Sequence, residues 1–475
     1  MKKSILYPII AVYILLFASS CKDYTEPAPF GPIPTAAQLE WQKMEYYMFV
    51  HFGPNTFTDL EWGDGTEDPN VFAPTNLDCM QWAKVAKDAG MKGIIITGKH
   101  HDGFSLWPSA YSSHTVRQSK WRDGNGDVLA ELSKACERYG LKFGVYVSPW
   151  DRNHPFYGTP QYNEVFAGTI SEVLTNYGDI FELWLDGAYG GDPDSTFSYD
   201  WELFHQTAYS KAPDVVIFSD IGPGCRWVGN ERGMAPETNW SRLDADGYAP
   251  GEFAPSQDTL GGGNVHGKYW IPAEADVSIR PGWFYSPSTD DKVKSVEELM
   301  EIYYASVGHN ANLLLNVPAD RSGRIPAPDS ARLMEFAAAR EEAFHIDYAK
   351  MSSCLSEDVR GAKPRFAASN IVDGRYDTYW ATDDGVTNAS FTVSFRRDRV
   401  VKGAMIQEYI PLGQRVKEFS IECLDARTEQ WTEVYRGTTI GYKRLVRFDP
   451  VEASKVRFNI LDAYDCILIN NVEIY

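Results

Sequence analysis

The chain has 475 residues, with 45 Lys and Arg against 65 Asp and Glu, which gives a formal net charge of −20. Because 44% of the residues are hydrophobic and 23% are charged, there is enough apolar material to offset the entropy of ordering, which argues against an intrinsically disordered chain. The acidic excess argues against a nucleic-acid partner, since phosphate binding requires clustered Lys and Arg.

The amino terminus carries the features of an export signal. Lys2 and Lys3 precede an apolar run over 5–17, and small residues then lead to Cys21. The run is shorter than the roughly 20 residues of a membrane span. The pattern resembles a bacterial lipoprotein signal. It predicts a signal peptide over 1–20, lipidation of Cys21, and an exported protein in the periplasm or on the outer-membrane surface that meets the membrane only through its lipid anchor. An ordinary cleaved signal with an incidental Cys21 is the alternative.

Six further cysteines are scattered along the chain without a CxxC pair or the spacing of a zinc site. Export would permit disulfides, but no pairing can be deduced from the positions, and most of these residues are interpreted as small buried apolar side chains. They are Cys79, Cys136, Cys225, Cys354, Cys423 and Cys466.

After a tether over 21–40, rich in Pro and polar residues, apolar strand-like runs alternate with helical patterns over 41–345. The strand candidates are Tyr47–Phe52, Gly93–Thr97, Phe143–Ser148, Phe181–Asp186, Val215–Ser219, Tyr269–Ala273 and Asn312–Val317. The helical stretches are Leu77–Ala89, Val128–Tyr139, Tyr162–Asn176, Val296–Val307 and Pro328–Phe344. This alternation predicts a parallel sheet with crossover helices.

A (β/α)8-like barrel and a doubly wound open sheet both fit this alternation. No GxGxxG motif follows the first strand, which weakens the dinucleotide-binding version of the open sheet. Polar clusters recur at the carboxyl ends of the strands, as HFG, KHHDG, SPWD and DG. A barrel gathers these ends on one face, where barrel enzymes place their active sites, so we favour the barrel.

From 350 to 475 the pattern changes to alternating strand signals, namely FTVSF, KEFSIECL, EVYRG and KVRFNI, with no convincing helix. This segment predicts a separate antiparallel β-sandwich, and the fold class is therefore α/β followed by all-β.

Two acidic residues stand out in the barrel segment. Asp186 ends an apolar strand and precedes Gly187, where an unpaired acid would be costly as core filler and is well placed as a nucleophile, a base or a metal ligand. Glu231 lies in a loop that follows a strand. Taken alone, a solvated loop residue is the default interpretation of Glu231.

Histidines and tryptophans supply further candidates. His51 follows one strand and the pair His100 and His101 follows another, so a zinc site is a competing hypothesis. Adjacent strand residues point to opposite faces, which disfavours joint coordination by the pair, and no HExxH motif is present. A sugar pocket fits better, with imidazoles, the carboxylate of Glu61, and the indoles of Trp62 and Trp283 as binding groups, although each Trp could instead belong to the core.

An ordered series of motifs carries a family resemblance. It comprises HFGPNTF from His51, EWG from Glu61, KHHDGF from Lys99, WLDG ending at Gly187, GNE ending at Glu231, RPGWFY from Arg280 and NLLLNVP from Asn312. Together they resemble the α-L-fucosidases of glycoside hydrolase family 29. The sequences of the HFGPNTFT, EWGDG and GNE motifs resemble those of the branch specific for α-1,3/1,4-linked fucose.

The resemblance implies a retaining exo-α-L-fucosidase without a catalytic metal or cofactor. Asp186 matches the nucleophile and Glu231 the acid/base, which require carboxyl groups about 5–5.5 Å apart and opposite protonation states. Fucose-binding residues are implied at His51, Glu61, Trp62, His100, His101, Tyr146 and Trp283. The expected substrate is a fucosylated oligosaccharide or glycoconjugate of the branched Lewis type.

Two residues depart from the expected family pattern: His309 stands in place of an Arg and Ala319 in place of a Pro. His309 is therefore expected to influence a loop near the site. The segment NIVDG ending at Gly374, with Thr378 and Trp380, resembles a discoidin-like or family 32 carbohydrate-binding module of galactose-binding-like fold. Such modules often carry a structural Ca²⁺, and a sugar-binding and a purely structural role for the segment both remain open.

Two other functions compete with this prediction. One is a broad-specificity α-L-fucosidase. The other is a non-catalytic surface glycan-binding lipoprotein, against which the presence of both catalytic carboxylates argues.

Overall fold

The computed structural model describes residues 25–190, 197–251, 253–350 and 352–475. Eight strands form its barrel: β1 (Tyr46–Val50), β2 (Gly93–Lys99), β3 (Lys142–Val147), β4 (Ile180–Trp184), β5 (Val216–Ser219), β6 (Cys225–Trp227), β9 (Ala273–Ser278) and β10 (Ala311–Asn316). A small hairpin of β7 (Arg242–Leu243) and β8 (Tyr269–Trp270) lies outside it. All barrel neighbours pair in parallel, in the closed order β1-β10-β9-β6-β5-β4-β3-β2.

Helices connect these strands on the outside of the barrel. They are α1 (Ala36–Gln42), α2 (Asn55–Thr58), α3 (Cys79–Asp88), α4 (Val128–Tyr139), α5 (Gln161–Asn176), α6 (Trp201–Lys211), α7 (Gln257–Gly262), α8 (Val296–Ser306) and α9 (Ala327–Phe344). Local sequence sets several of their ends. Asp127 caps the amino end of α4 and Gly140 ends that helix in the left-handed conformation, which glycine adopts without steric cost.

The barrel strands are buried on both faces, which explains their continuous apolar character. In β1, Tyr46 and Met48 point outward to the core under the helices, while Tyr47 and Phe49 point inward. The same alternation places Glu182, Trp184 and, beyond the end of β4, Asp186 on the inward side. Because every second residue of β4 points inward, polar side chains lie along the inside of the barrel as far as its carboxyl-end face.

The second half is antiparallel, with the sheet order β12-β17-β13-β16-β14-β15 and β11 paired to β13. Its strands are β11 (Ser353–Leu355), β12 (Trp380–Ala381), β13 (Ala389–Glu408), β14 (Val416–Asp425), β15 (Trp431–Gly437), β16 (Arg444–Ala463) and β17 (Leu468–Ile474). It has its own buried apolar cluster. The predicted fold, a barrel followed by an antiparallel sandwich, is confirmed.

Two barrel strands differ from the prediction. The predicted strand Tyr269–Ala273 is wrong, because the barrel strand β9 begins only at Ala273 and the preceding residues Tyr269 and Trp270 pair with β7. Strand β6 has no counterpart in the prediction, because it spans three residues and lacks an apolar run of its own.

The sandwich packs against the segment that follows Glu231. Arg444 donates hydrogen bonds to the backbone oxygen of Glu237, at 2.7 Å, and to its carboxylate, at 2.6 Å. Gln414 binds the backbone of Asn239 at 3.0 Å. His309 lies at this junction, where its Nδ1 is 2.9 Å from the backbone oxygen of Ala235. The residue that departs from the family pattern thus contacts the segment after Glu231.

The six cysteines of the described chain are buried and none is in a disulfide, in agreement with their interpretation as apolar core residues. Among the described residues, no helix combines the length and apolarity of a membrane span.

Candidate active site

The carboxyl-end face of the barrel brings most of the predicted site residues together. The ring of His51 lies 5.0 Å from that of Trp283, 5.8 Å from that of His100 and 6.3 Å from that of Tyr146. The rings of His100 and His101 are 4.1 Å apart. The result is an aromatic cup whose walls come from β1, β2, β3 and the loop after β9.

Asp186 lies beside Tyr146 and His101 in this cup, and two donors fix its carboxylate. The hydroxyl of Tyr146 donates to Oδ2 over 2.9 Å, and the backbone N–H of Ala188 donates to Oδ1 over 2.7 Å. The side chain of Asp186 is 25% exposed, so it keeps access to the cavity. The two hydrogen bonds therefore hold the carboxylate in one orientation towards the cavity.

The tautomer of His51 follows from its neighbour Asn316. The amide nitrogen of Asn316 donates to the backbone oxygen of Trp283 over 2.8 Å, which fixes the amide orientation because a carbonyl can only accept. The amide oxygen must then accept from Nδ1 of His51, 2.8 Å away. Burial lowers the pKa of His51 to about 3, so the ring is neutral and Nε2 is a hydrogen-bond acceptor.

The tautomer of His101 follows from its neighbour Ser148. The hydroxyl of Ser148 donates to the backbone oxygen of Trp150 over 2.9 Å, and so it accepts from Nδ1 of His101 over 2.8 Å. Nε2 then faces Asp186, whose Oδ2 is 4.0 Å away. Burial lowers the pKa of His101 although the charge of Asp186 opposes this shift, which leaves a second neutral acceptor beside the carboxylate.

His100 corrects one expectation. We expected His100 and His101 to point to opposite faces, yet both rings line the same cavity, because β2 ends at Lys99 and the strict alternation of a strand ends with it. His100 stacks on Tyr146 at 5.8 Å, and its Nδ1 has no hydrogen-bond partner among the described residues. Burial holds the pKa of His100 well below its usual range.

Glu61 and the two predicted tryptophans form the rim. The carboxylate of Glu61 accepts from the backbone N–H of Trp283 over 2.8 Å and thereby ties the loop after β1 to the loop after β9. Gly282 is required at this contact, because its φ is +79° and a Cβ there would lie 2.2 Å from the Glu61 carboxylate. Trp62 is 59% exposed and meets His101 edge-on at 5.9 Å.

Glu231 lies on the loop after β6, with its carboxyl group near those of Asp186 and Glu61. Partial burial raises the pKa of Glu231, the indole of Trp283 lowers it through a hydrogen bond, and the negative charges of Asp186 and Glu61 raise it further. The net shift is upward. The cavity therefore contains two neighbouring carboxyl groups, of which Glu231 is held towards its protonated form.

Several contributors were absent from the sequence prediction. Asn316 and Ser148 orient the two histidines, and Trp150 packs on His101 at 4.8 Å. Asp220 follows β5, accepts from the backbone N–H of Gly251 over 2.8 Å, and has its pKa raised to about 6 by burial and by the charge of Asp186. A polar residue directly after an apolar strand was the available signal for Asp220 and Ser148, and inward alternation in β10 was the signal for Asn316.

A buried ion pair supports the β2 and β3 ends of the cup. The ammonium of Lys99 lies 2.8 Å from the carboxylate of Asp151, and both side chains are 3% exposed. Burial alone would raise the pKa of Asp151, but Lys99 and backbone N–H donors hold it below its usual range. Because the carboxylate is ionised when folded, this contribution to stability is present at neutral pH and is lost as the pH falls through the lowered pKa.

We expect Lys99→Met to destabilise the barrel by about 3–5 kcal/mol, because it leaves the charge of Asp151 buried without a counter-charge. Urea unfolding followed by tryptophan fluorescence would measure the change. Lys84→Met is the matched control, since Lys84 pairs with Asp88 on the surface. The urea midpoint of this variant should hardly differ from that of the wild type. An equal midpoint for both variants would contradict the prediction.

The loop proposed for a structural Ca²⁺ shows carboxylates with partners of their own. Asp373 accepts from the backbone N–H of Arg375 over 2.8 Å and from the hydroxyl of Thr378 over 2.8 Å. Asp377 binds the guanidinium of Arg375 over 2.8 Å. Both carboxylates are engaged within the loop, and a calcium site there stays a prediction.

Both halves of the chain match known protein families. Residues 33–339 match the family model described as alpha-L-fucosidase, and residues 350–471 match the F5/8 type C domain. An Arabidopsis thaliana protein, alpha-L-fucosidase 1, is 41% identical over 94% of this chain and 88% of its own length. A rice relative, provisionally given the same name, is 43% identical over 91% of this chain and 83% of its own length.

Among solved structures, a Ruminococcus gnavus fucosidase of glycoside hydrolase family 29 in complex with fucose is similar over 95% of this chain and 96% of its own. The sequence identity is 32% and the TM-score is 0.86. The likeness therefore extends over both halves of the chain.

These comparisons correct one expectation. The predicted location, an exported bacterial lipoprotein in the periplasm or on the outer membrane, is wrong, because the relatives at 43% and 41% identity are plant fucosidases. The short apolar amino-terminal run on which the prediction depended and the lipidation predicted at Cys21 lie outside the described residues.

Proposed function

This chain belongs to the α-L-fucosidase family, glycoside hydrolase family 29, and we propose that it is a retaining exo-α-L-fucosidase in which Asp186 is the nucleophile and Glu231 the acid/base. The observation that carries the assignment of roles is the different setting of the two carboxyl groups. Asp186 accepts two hydrogen bonds that orient its carboxylate towards the cavity, whereas burial and neighbouring charges raise the pKa of Glu231. A nucleophile must be ionised and a general acid protonated.

The reaction proceeds in two steps. In the first, an oxygen of Asp186 attacks the anomeric carbon of fucose while Glu231 transfers its proton to the glycosidic oxygen, so that the C–O bond breaks and the aglycone leaves as an alcohol. In the second, ionised Glu231 takes a proton from water, the resulting hydroxide attacks the anomeric carbon, and the bond to Asp186 breaks. Fucose leaves with the anomeric configuration of the substrate.

The cup supplies groups that suit a neutral sugar. Nε2 of His51 and Nε2 of His101 are acceptors for sugar hydroxyls, and the outer carboxylate oxygen of Glu61 is a third acceptor at the rim. The rings of Tyr146 and Trp283 offer flat apolar surface to the sugar. His100 and Trp62 complete the wall, and no catalytic metal is invoked.

We further propose that the preferred substrates are branched glycans of the Lewis type with α-1,3- or α-1,4-linked fucose. The support is the sequence from His51 to Thr58 and from Glu61 to Gly65 together with the acid in the GNE motif, which resembles that branch of the family. Broad specificity is the alternative.

A substrate panel tests this proposal. We expect kcat/KM for a Lewis trisaccharide to exceed that for linear 2′-fucosyllactose and for an aryl fucoside by roughly 10–100-fold, the range that differential contacts in a site supply. NMR of the first product should show α-L-fucose before mutarotation. Preference for the linear or aryl substrate would overturn the linkage proposal, and β-L-fucose as the first product would overturn the retaining mechanism.

A further inference from the structure

Strand β9 presents two buried acids to the inside of the barrel, beneath the active site. Glu274 and Asp276 are two residues apart and therefore share the inward face. Glu274 is 0% and Asp276 4% exposed. Burying a carboxyl group is costly unless its oxygens are hydrogen-bonded, so the partners of these two acids show what holds them there.

Glu274 binds the indole that precedes the nucleophile. Nε1 of Trp184 donates to Oε1 of Glu274 over 2.8 Å. Trp184 lies two residues before Asp186 on the same face of β4, and its ring stacks on Tyr146 at 5.1 Å, the residue whose hydroxyl binds Asp186. On its other side the indole stacks on Phe218 at 3.9 Å. The orientation of this indole therefore affects the position of Asp186 by two routes, the short backbone segment between them and the side chain of Tyr146.

Asp276 repeats the arrangement for the other catalytic carboxyl group. Nε1 of Trp227 donates to Oδ1 of Asp276 over 2.9 Å. Trp227 ends β6 and lies four residues before Glu231, at the base of the loop that carries it. Asp276 and Glu231 are close enough that the charge of Glu231 adds to burial in raising the pKa of Asp276.

Both acids are suited to a fixed, uncharged role. Burial raises the pKa of Glu274 well above its usual range, and the neighbouring carboxyl group of Glu182 raises it further. Glu182 itself accepts from Nε1 of Trp41 over 2.8 Å, and the hydroxyl of Tyr47 binds Glu274. A neutral carboxyl group in this network keeps a definite acceptor for each indole without the desolvation cost of a charge.

We propose that Glu274 and Asp276 are positioning residues for the two catalytic carboxyl groups, Glu274 acting through Trp184 on Asp186 and Asp276 acting through Trp227 on Glu231. Each pair joins β9 to a strand that leads directly into one catalytic residue. One strand of the barrel thereby sets the relative position of both carboxyl groups. The inference is based on the catalytic roles given under the proposed function.

The proposal has two arms, Glu274 acting on the nucleophile and Asp276 acting on the acid/base. The dependence of kcat/KM on the leaving group distinguishes them. An aryl fucoside with a good leaving group needs little proton donation, whereas a fucoside with an alkyl or sugar aglycone needs it fully. Displacement of the nucleophile should therefore lower kcat/KM for both substrates equally. Displacement of the acid should lower kcat/KM mainly for the unactivated substrate.

For the Glu274 arm, we expect Glu274→Leu to lower kcat/KM roughly 10–100-fold on both substrates, the size of effect that a displacement of about 1 Å causes. Glu274→Gln, which keeps an acceptor, should recover most of the loss. Because the acid acts through the indole, Trp184→Phe combined with Glu274→Leu should be no worse than the more damaging single variant.

For the Asp276 arm, Asp276→Leu should lower kcat/KM roughly 10–100-fold on the unactivated substrate and less than about 3-fold on the aryl fucoside. Asp276→Asn should restore most activity, and Trp227→Phe should be non-additive with Asp276→Leu. Equal losses of Asp276→Leu on both substrates, or additive effects in either double variant, would overturn the inference.

Glu408→Gln is the matched control for damage from an altered buried acid. Glu408 is 2% exposed in the sandwich and accepts backbone N–H groups of Arg415, Val416 and Gly441 at 2.6–2.9 Å. Its variant should lose thermal stability with unchanged kcat/KM on both substrates. Absence of fucoside hydrolysis by the wild type would contradict the proposed function, whereas an active wild type with unaffected β9 variants would contradict this inference alone.

Discussion

We expect Asp186→Asn to lower kcat/KM for fucoside hydrolysis by about 10⁴-fold or more, the order of loss that follows removal of a nucleophile acting in a preorganised unit. The amide is almost isosteric: its oxygen can still accept from the N–H of Ala188, and its NH2 group can donate to the hydroxyl oxygen of Tyr146, so the fold and the cup should be preserved. What disappears is the negative charge that attacks the anomeric carbon. Because attack is required for every leaving group, aryl and sugar fucosides should lose activity to the same degree.

Stopped assays of fucose release would measure this loss, and calorimetry with fucose would show whether the sugar still binds. Asp220→Asn is the matched control, since Asp220 is a second acid near Asp186, follows the adjacent strand β5 and has no part in the proposed attack. It should keep more than a tenth of wild-type kcat/KM. Near wild-type turnover by the Asp186 variant, or an equal loss in the Asp220 variant, would remove Asp186 from the role of nucleophile.

The architecture was predictable from sequence because apolar runs and the polar clusters after them follow directly from a barrel with its chemistry at one face. Strands β2, β3 and β10 satisfy that pattern with long apolar stretches. Strand β9 does not, because its inward residues are acids whose buried partners lie on β4 and β6, far away in sequence. Acids at every second position of a strand ordinarily indicate a face exposed to solvent. Only the three-dimensional structure shows that two indoles bind these acids inside the barrel.

The candidate site was likewise predictable from the sequence only in part. Asp186 and His51 were recognisable because each follows an apolar strand, and the family resemblance pointed to Glu231. The partners that set the tautomers of the histidines were not recognisable. Asn316 orients His51 from the neighbouring strand β10, far away in sequence, and Ser148 orients His101 from the end of the neighbouring strand β3. Hydrogen-bond direction depends on three-dimensional neighbours, whereas the presence of an imidazole depends only on the chain.

The raised pKa of Glu231 gives the acid/base assignment a pH signature. Glu231 keeps its proton to a higher pH than an isolated Glu, because burial and the charges of Asp186 and Glu61 disfavour its ionisation. The general acid is active while protonated. The value of kcat/KM for an unactivated fucoside should therefore fall as the pH rises through this raised pKa.

We expect Glu231→Gln to lower kcat/KM for a sugar fucoside by about 10²–10⁴-fold, the usual contribution of a general acid, and to abolish the alkaline limb of the pH profile. For an aryl fucoside, kcat/KM should fall far less, while kcat falls because hydrolysis of the fucosyl-enzyme still needs the base. Glu61→Gln is the control: it should retain the alkaline limb but move it to lower pH, because one negative charge that raises the pKa of Glu231 is gone. An unchanged alkaline limb in the Glu231 variant would assign the proton donor to another residue.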